Sequence, residues 1–167
     1  LYHRAVHLDR LTVDILEYFR DAPSTRTVPM GTALFRAGDS PDFVYILIAG
    51  QANIMVGSTI VEIAVRGSLL GEMALLDGKP RSASVVTRTE CTLVPIDAAQ
   101  FDALIRSMPA FSRYVMNAMA GRMRRMNDNL RAAQSIEGVS ARVIANTSLS
   151  MEEDATLPPV RSPGKRA

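Results

Sequence analysis

The stretch Gly71–Ala83, GEMALLDGKPRSA, decides how this chain is read. A Gly-Glu pair opens a short apolar turn, Gly78 and Pro80 break it into a loop, and Arg81-Ser82-Ala83 closes it. The segment gathers bare backbone N–H groups at a helix start, one carboxylate, one guanidinium and one hydroxyl. Anions sit well on helix N-termini, because unpaired N–H groups and the helix dipole both face them. Arg81 adds a planar, two-pronged donor suited to phosphate oxygens. An ionised Glu72 only accepts hydrogen bonds, so beside an anion it must serve other donors, and sugar hydroxyls are the natural ones. The plainer alternatives are that Glu72 is a surface helix cap, that Arg81 pairs with an acid such as Asp77, and that Ser82 is a loop hydroxyl.

Outward from this stretch the chain is punctuated by short apolar runs. On the N-terminal side lie GTALFRAGD (Gly31–Asp39) and VYILIAGQANIMV (Val44–Val56), with Gly67 just before the central stretch; on the C-terminal side lies IDAAQFDALIRSMPAF (Ile96–Phe111). Strands are expected around Arg26–Val28, Ala33–Arg36, Phe43–Ala49, Ala52–Val56, Thr59–Val65, Ser84–Thr87 and Cys91–Pro95, since Val, Ile and Thr recur there between Gly and Asp-Ser-Pro turns. Evenly spaced short strands point to an all-β roll or sandwich. Helices are expected at both ends. Leu8, Leu11, Ile15 and Phe19 share one face before Ala22-Pro23-Ser24 ends the first helix. Asp97 with Gln100 makes a capping box for another, and Pro109 sits at the first position of a longer one ending near Gln134.

In this order the segments resemble the cyclic nucleotide-binding domain family, which includes bacterial catabolite activators, kinase regulatory subunits and gated channels. The resemblance spans roughly residues 11–131. It implies an α+β fold: an antiparallel β-roll or jelly roll (a double-stranded β-helix) flanked by an N-terminal helix and two C-terminal helices. The domain is expected over residues 8–134, with 135–167 a partly disordered tail. Gly71–Ala83 then resembles the family's phosphate-binding cassette. The resemblance implies ribose binding by Glu72 and Gly71, and phosphate binding by Arg81, Ser82, Ala83 and Ala74, the alanines serving by their small size. Asn127 falls about where the family places base-contacting helix residues, and an amide matches the donor and acceptor of adenine. Arg-Ser-Ala resembles cAMP-responsive bacterial members; cGMP stays open. Met73 and Leu75 read as core.

The long helix carries a second pattern. Met116, Met119, Met123, Met126, Leu130 and Ala133 step by 3, 4, 3, 4 and 3 residues, a heptad-like seam, while Phe111, Val115 and Ala118 lie on another face. The seam is either a wide face buried in one protomer or the contact of a homodimer. Catabolite activators dimerise through the equivalent helix, which favours the dimer. Arg122, Arg124 and Arg125 read as a solvated face. Beyond Gln134 a weak helix over Gly138–Asn146 and loose chain from about 147 are expected, because the composition cannot bury enough apolar surface. This region faintly resembles the start of a winged-helix domain without a basic recognition helix, so no DNA binding is expected from this chain alone.

Bulk properties set the remaining expectations. A chain of 167 residues with 47% apolar and 22% charged residues is ordinary for one globular domain, and a net charge of +2 implies no general pull toward nucleic acid or membrane. The single Cys91 excludes an internal disulfide and suits a reducing, cytoplasmic setting. No apolar run reaches the length of a membrane span. His3 and His7 are four apart without an evident third ligand, and no nucleophile setting is visible. The function expected is therefore a regulatory sensor rather than an enzyme, with no cofactor or metal. It would bind a cyclic nucleotide and signal through its C-terminal helix to an effector protein still to be identified. Alternatives are the sensor half of a transcription regulator without its DNA-binding domain, or the regulatory piece of a larger enzyme or channel.

Overall fold

The computed structural model describes residues 8–153, with side chains described to residue 135. It divides into two compact units, Leu1–Ala120 and Gly121–Ala167.

Among the described residues the first element is α1 (Arg10–Tyr18). Asp9 caps it, its Oδ1 accepting from the Thr12 N–H at 2.7 Å. This bond holds the Asp9 carboxyl below its usual pKa. Ile15 and Phe19 of the expected face are buried, with Leu8 and Leu11 packed partly against the same core.

Eight strands follow: β1 (Arg26–Val28), β2 (Ala33–Phe35), β3 (Phe43–Ala49), β4 (Ala52–Val56), β5 (Thr59–Ala64), β6 (Leu69–Leu70), then β7 (Ser84–Thr87) and β8 (Cys91–Asp97) after helix α2 (Glu72–Asp77). Seven match the sequence expectation to within a residue or two. The eighth, β6, is two buried leucines pairing with Tyr45 and Ile46 of β3. A strand so short and buried on both faces has no alternation to read.

The strands form two antiparallel four-stranded sheets, ordered β1-β8-β3-β6 and β2-β7-β4-β5. Strand β8 lies between β1 and β3 and is buried almost throughout, which explains its unbroken apolar run. Its Pro95 falls beyond the reach of β1, which pairs only with Cys91–Leu93, so the missing N–H leaves no ladder bond broken on that side. Leu47, Ile54, Leu70, Val85 and Leu93 fill the space between the sheets. The opposite face of the first sheet, with Val44, Ile46, Val94 and Ile96, is covered by α1, α3 (Ala98–Ser107) and the start of α4 (Pro109–Glu153). At the turn from β3 to β4, Gly50 has φ 90°, and a Cβ there would lie 2.8 Å from Cys91 Sγ and 2.9 Å from Cys91 Cα. Only glycine fits.

The capping box of α3 forms as expected: the Gln100 N–H donates to Asp97 Oδ1 at 2.8 Å, and the Asp97 N–H to Gln100 Oε1 at 3.3 Å. Phe111, Tyr114 and Val115 of α4 are buried, and Tyr114 Oη donates to the Gly67 carbonyl at 2.8 Å. Ala118 and Met119 pack partly on this same core. Met119 therefore does not belong wholly to a free seam, whereas Met116 is 60% exposed. In the second unit Met123, Met126 and Leu130 are exposed. Helix α4 does not stop near Gln134 but runs to Glu153, so residues 138–146 are helical as expected but within one continuous helix, and the loose chain over 147–153 is corrected. Weak propensity at Gly138 and the β-branched Val139, Val143 and Ile144 does not end a helix by itself. No proline interrupts the hydrogen-bond ladder until Pro158. Residues 154–167, and His3 and His7, lie outside the described residues.

Candidate functional site

Helix α2 is held between two glycines in the left-handed conformation, Gly71 (φ 86°) before it and Gly78 (φ 67°) after it. Six residues suffice because the segment is anchored rather than self-stable: Glu72 is fully buried and Ala74 is 5% exposed. Leu75 packs toward the helix-covered core, as expected. Met73 does not; it is 47% exposed, because only one side of so short a helix faces the roll.

Arg81 is the centre of the site. It is 5% exposed although it is a cation. Its Nη1 donates to the Gly71 carbonyl at 2.7 Å, and its Nη2 donates to the Phe43 carbonyl. Among the described residues its Nε, also buried, has no hydrogen-bond partner. The guanidinium carbon lies 4.2 Å from the centre of the Phe35 ring. The Arg81 backbone is pinned as well, its N–H donating to the Asp39 carbonyl at 3.0 Å and its carbonyl accepting from the Gly38 N–H at 2.8 Å. Burial pushes the Arg81 pKa down, and Tyr45, Asp42, Asp39 and Glu72 act against that. The group is a buried cation, steadied by carboxylates around it. Asp77 is not its partner: its Oδ1 accepts from the Lys79 N–H, and its Oδ2 lies 3.8 Å from Lys79 Nζ.

The structure thus brings Gly71 and Arg81 into contact, with Glu72 close enough to act on the cation, while Ala74 is buried on α2. Ser82 is exposed in the loop after Arg81, and Ala83 is half-buried against the core between the sheets. Asn127 is an exposed residue of the second unit. Beside Arg81 opens a cleft of about 270 Å³ lined by Phe35, Asp39, Asp42, Phe43 and Tyr45 among others. The aromatic wall and the Phe43 carbonyl were not anticipated from sequence. They come from β2 and β3, distant in the chain from Arg81, and no local spacing announces such a contact. Among the described residues no cluster of three or more His, Cys, Asp or Glu could hold a metal ion, and no helix is long and apolar enough to cross a membrane.

A roll of two four-stranded sheets that carries a glycine-capped turn and a buried arginine defines a class, and comparison with known proteins agrees. The sequence profile described as the cyclic nucleotide-binding domain matches residues 25–108, half of the chain. The chain belongs to the cyclic nucleotide-binding domain family. It is 33% identical over 90 residues to a cyclic nucleotide-gated potassium channel of Rhizobium etli, covering 54% of this chain and 25% of the channel. It is 30% identical over 107 residues to the CRP-like cAMP-activated global transcriptional regulator of Mycobacterium tuberculosis, covering 61% of this chain and 48% of the regulator. The catabolite activator protein of Thermus thermophilus superposes with a TM-score of 0.59 at 28% identity, covering 77% of this chain and 62% of that one. The chain therefore spans from a quarter to about half the length of these two curated relatives.

Proposed function

We propose that this domain binds a cyclic nucleotide, cAMP foremost, as a regulatory module rather than an enzyme. The observation that carries the reading is Arg81. A guanidinium this deeply buried costs free energy unless its donors are used, yet Nε is left without an acceptor while Nη1 and Nη2 are engaged. An anion with oxygens in the guanidinium plane would complete the set, and a cyclic phosphate has that form. Ser82 and the backbone of Ala83 and Ala74 would hold the same phosphate. Glu72, buried at the start of α2 beside Gly71, would accept from the ribose hydroxyl. Asn127 is proposed for the base. An Asn127→Ala variant that binds cAMP as tightly as the wild type would remove it from the site.

Ligand binding would be transmitted through α4, because a nucleotide moves an element only by binding one arrangement better than another. Exposed Met116, Met123, Met126 and Leu130 would meet a second copy across a dimer axis. A cytoplasmic setting would suit this ligand class and the single free Cys91. A second reading is favoured by the match to the M. tuberculosis regulator: this chain would be the sensor part of a transcription regulator. A gel shift with the full-length gene product separates the two: a transcription regulator retains DNA, and a sensor module does not. The ligand itself is tested by thermal shift with cAMP and cGMP, because a native-state ligand must raise the melting temperature by mass action. A flat response to both at high concentration would end the proposal.

A further inference from the structure

The Arg81 guanidinium is fixed along two edges by the Gly71 and Phe43 carbonyls. Its flat face is set by a different residue. The Phe35 ring lies 4.2 Å below the guanidinium carbon, and Phe35 is itself only 9% exposed at the end of β2. That ring also stacks on Tyr45, with 6.3 Å between centroids and 20° between planes. Gly71 completes the slot: a Cβ there would come within 3.2 Å of both Arg81 Cζ and Phe35 Cε1. Three residues from separate segments thus enclose one planar cation. We infer that Phe35 is a positioning residue for anion capture: its aromatic face holds the plane of Arg81, whose unpartnered Nε–H is the donor left for an in-plane phosphate oxygen. The inference rests on the cyclic nucleotide reading and adds to it a residue outside the Gly71–Ala83 stretch.

The physics is specific to an aromatic ring. Phenylalanine offers the cation a negative quadrupole face as well as bulk, and a desolvated pair of this kind is worth far more than an exposed one. Leucine would fill much of the volume but present no flat face, leaving the long arginine side chain to choose among rotamers. Tyrosine would keep the face. A lysine in place of Arg81 would keep charge but lose the plane that the ring orients.

The test is calorimetry with cAMP on the whole chain, for wild type, Phe35→Leu, Phe35→Tyr, Arg81→Lys and the Phe35→Leu/Arg81→Lys double variant. Phe35→Leu is expected to weaken binding about tenfold and Phe35→Tyr less than about threefold, while in the Arg81→Lys background the leucine costs under about twofold. The Arg81 side-chain Nε–H resonance, assigned by its loss in Arg81→Lys, gives a second readout in the free protein. It should be sharp in wild type and Phe35→Tyr and broadened in Phe35→Leu. Equal binding by wild type and Phe35→Leu overturns the inference alone. So does a leucine penalty that persists in full in the Arg81→Lys background, which would mark Phe35 as packing only. Wild type that binds neither cAMP nor cGMP overturns the functional reading and this inference together.

Discussion

Replacing Gly71 by alanine separates two roles of one residue. Its φ of 86° lies in the left-handed region, where a Cβ costs about 1–2 kcal/mol. The added methyl also falls inside contact distance of Arg81 Nη1, and 3.2 Å from Arg81 Cζ and Phe35 Cε1. The nearest atom is the far end of a flexible side chain, so the clash is relieved by moving the guanidinium. That movement breaks the 2.7 Å bond from Nη1 to the Gly71 carbonyl. A buried hydrogen bond from a charged donor is worth about 1.5–3 kcal/mol. Together the two effects give about 3–5 kcal/mol, or a fall in Tm of roughly 6–20 °C for a chain of this size. Gly31 is the control, with φ 81° and nothing within 4 Å of its missing Cβ. Gly31→Ala should cost only the backbone share, about 1–2 kcal/mol. Urea unfolding of both variants measures the difference, and cAMP titration should show Gly71→Ala weakened about 10–100-fold with Gly31→Ala unchanged. Equal destabilisation of the two variants, with cAMP affinity kept in both, would refute the enclosed-guanidinium argument.

Glu72→Gln should lower cAMP affinity about tenfold or more and erase the preference for cAMP over its 2′-deoxy analogue, read by competition binding. Burial pushes the Cys91 thiol pKa up, so the native protein should be inert to a thiol reagent at neutral pH and react only when unfolded. Because the folded pKa is raised, this thiol's share of stability is present below the unfolded value of about 8.5 and is lost as pH rises through the folded one. Urea midpoints across that alkaline range should fall less steeply in Cys91→Ala. Leu130→Glu, at a 57% exposed position, should shift sedimentation from dimer to monomer and lower Tm only by the stability that self-association adds. A variant that still sediments as wild type would count against the α4 dimer.

Legibility in the sequence followed locality. The Asp97–Gln100 box and the seven longer strands are written in residues a few positions apart, and each forms where expected. The Gly71–Ala83 turn is equally local, and its two ends meet in the bond from Arg81 Nη1 to the Gly71 carbonyl. Strand β6 was hidden by its length, and Phe35 and Phe43 by their distance along the chain from Arg81. The length of helix α4 is hidden by a polar composition that suggests loose chain, although no proline breaks the helix before Pro158. Met73 shows the limit of apolarity as a guide, since a six-residue helix has room to bury only one side.

The central claim is that Arg81 is held buried to receive a cyclic phosphate. Calorimetric titration of wild type and Arg81→Ala with cAMP tests it most directly. The account predicts saturable binding by wild type and loss of measurable heat in Arg81→Ala, with the variant still unfolding cooperatively. Wild-type affinity retained in Arg81→Ala would contradict it.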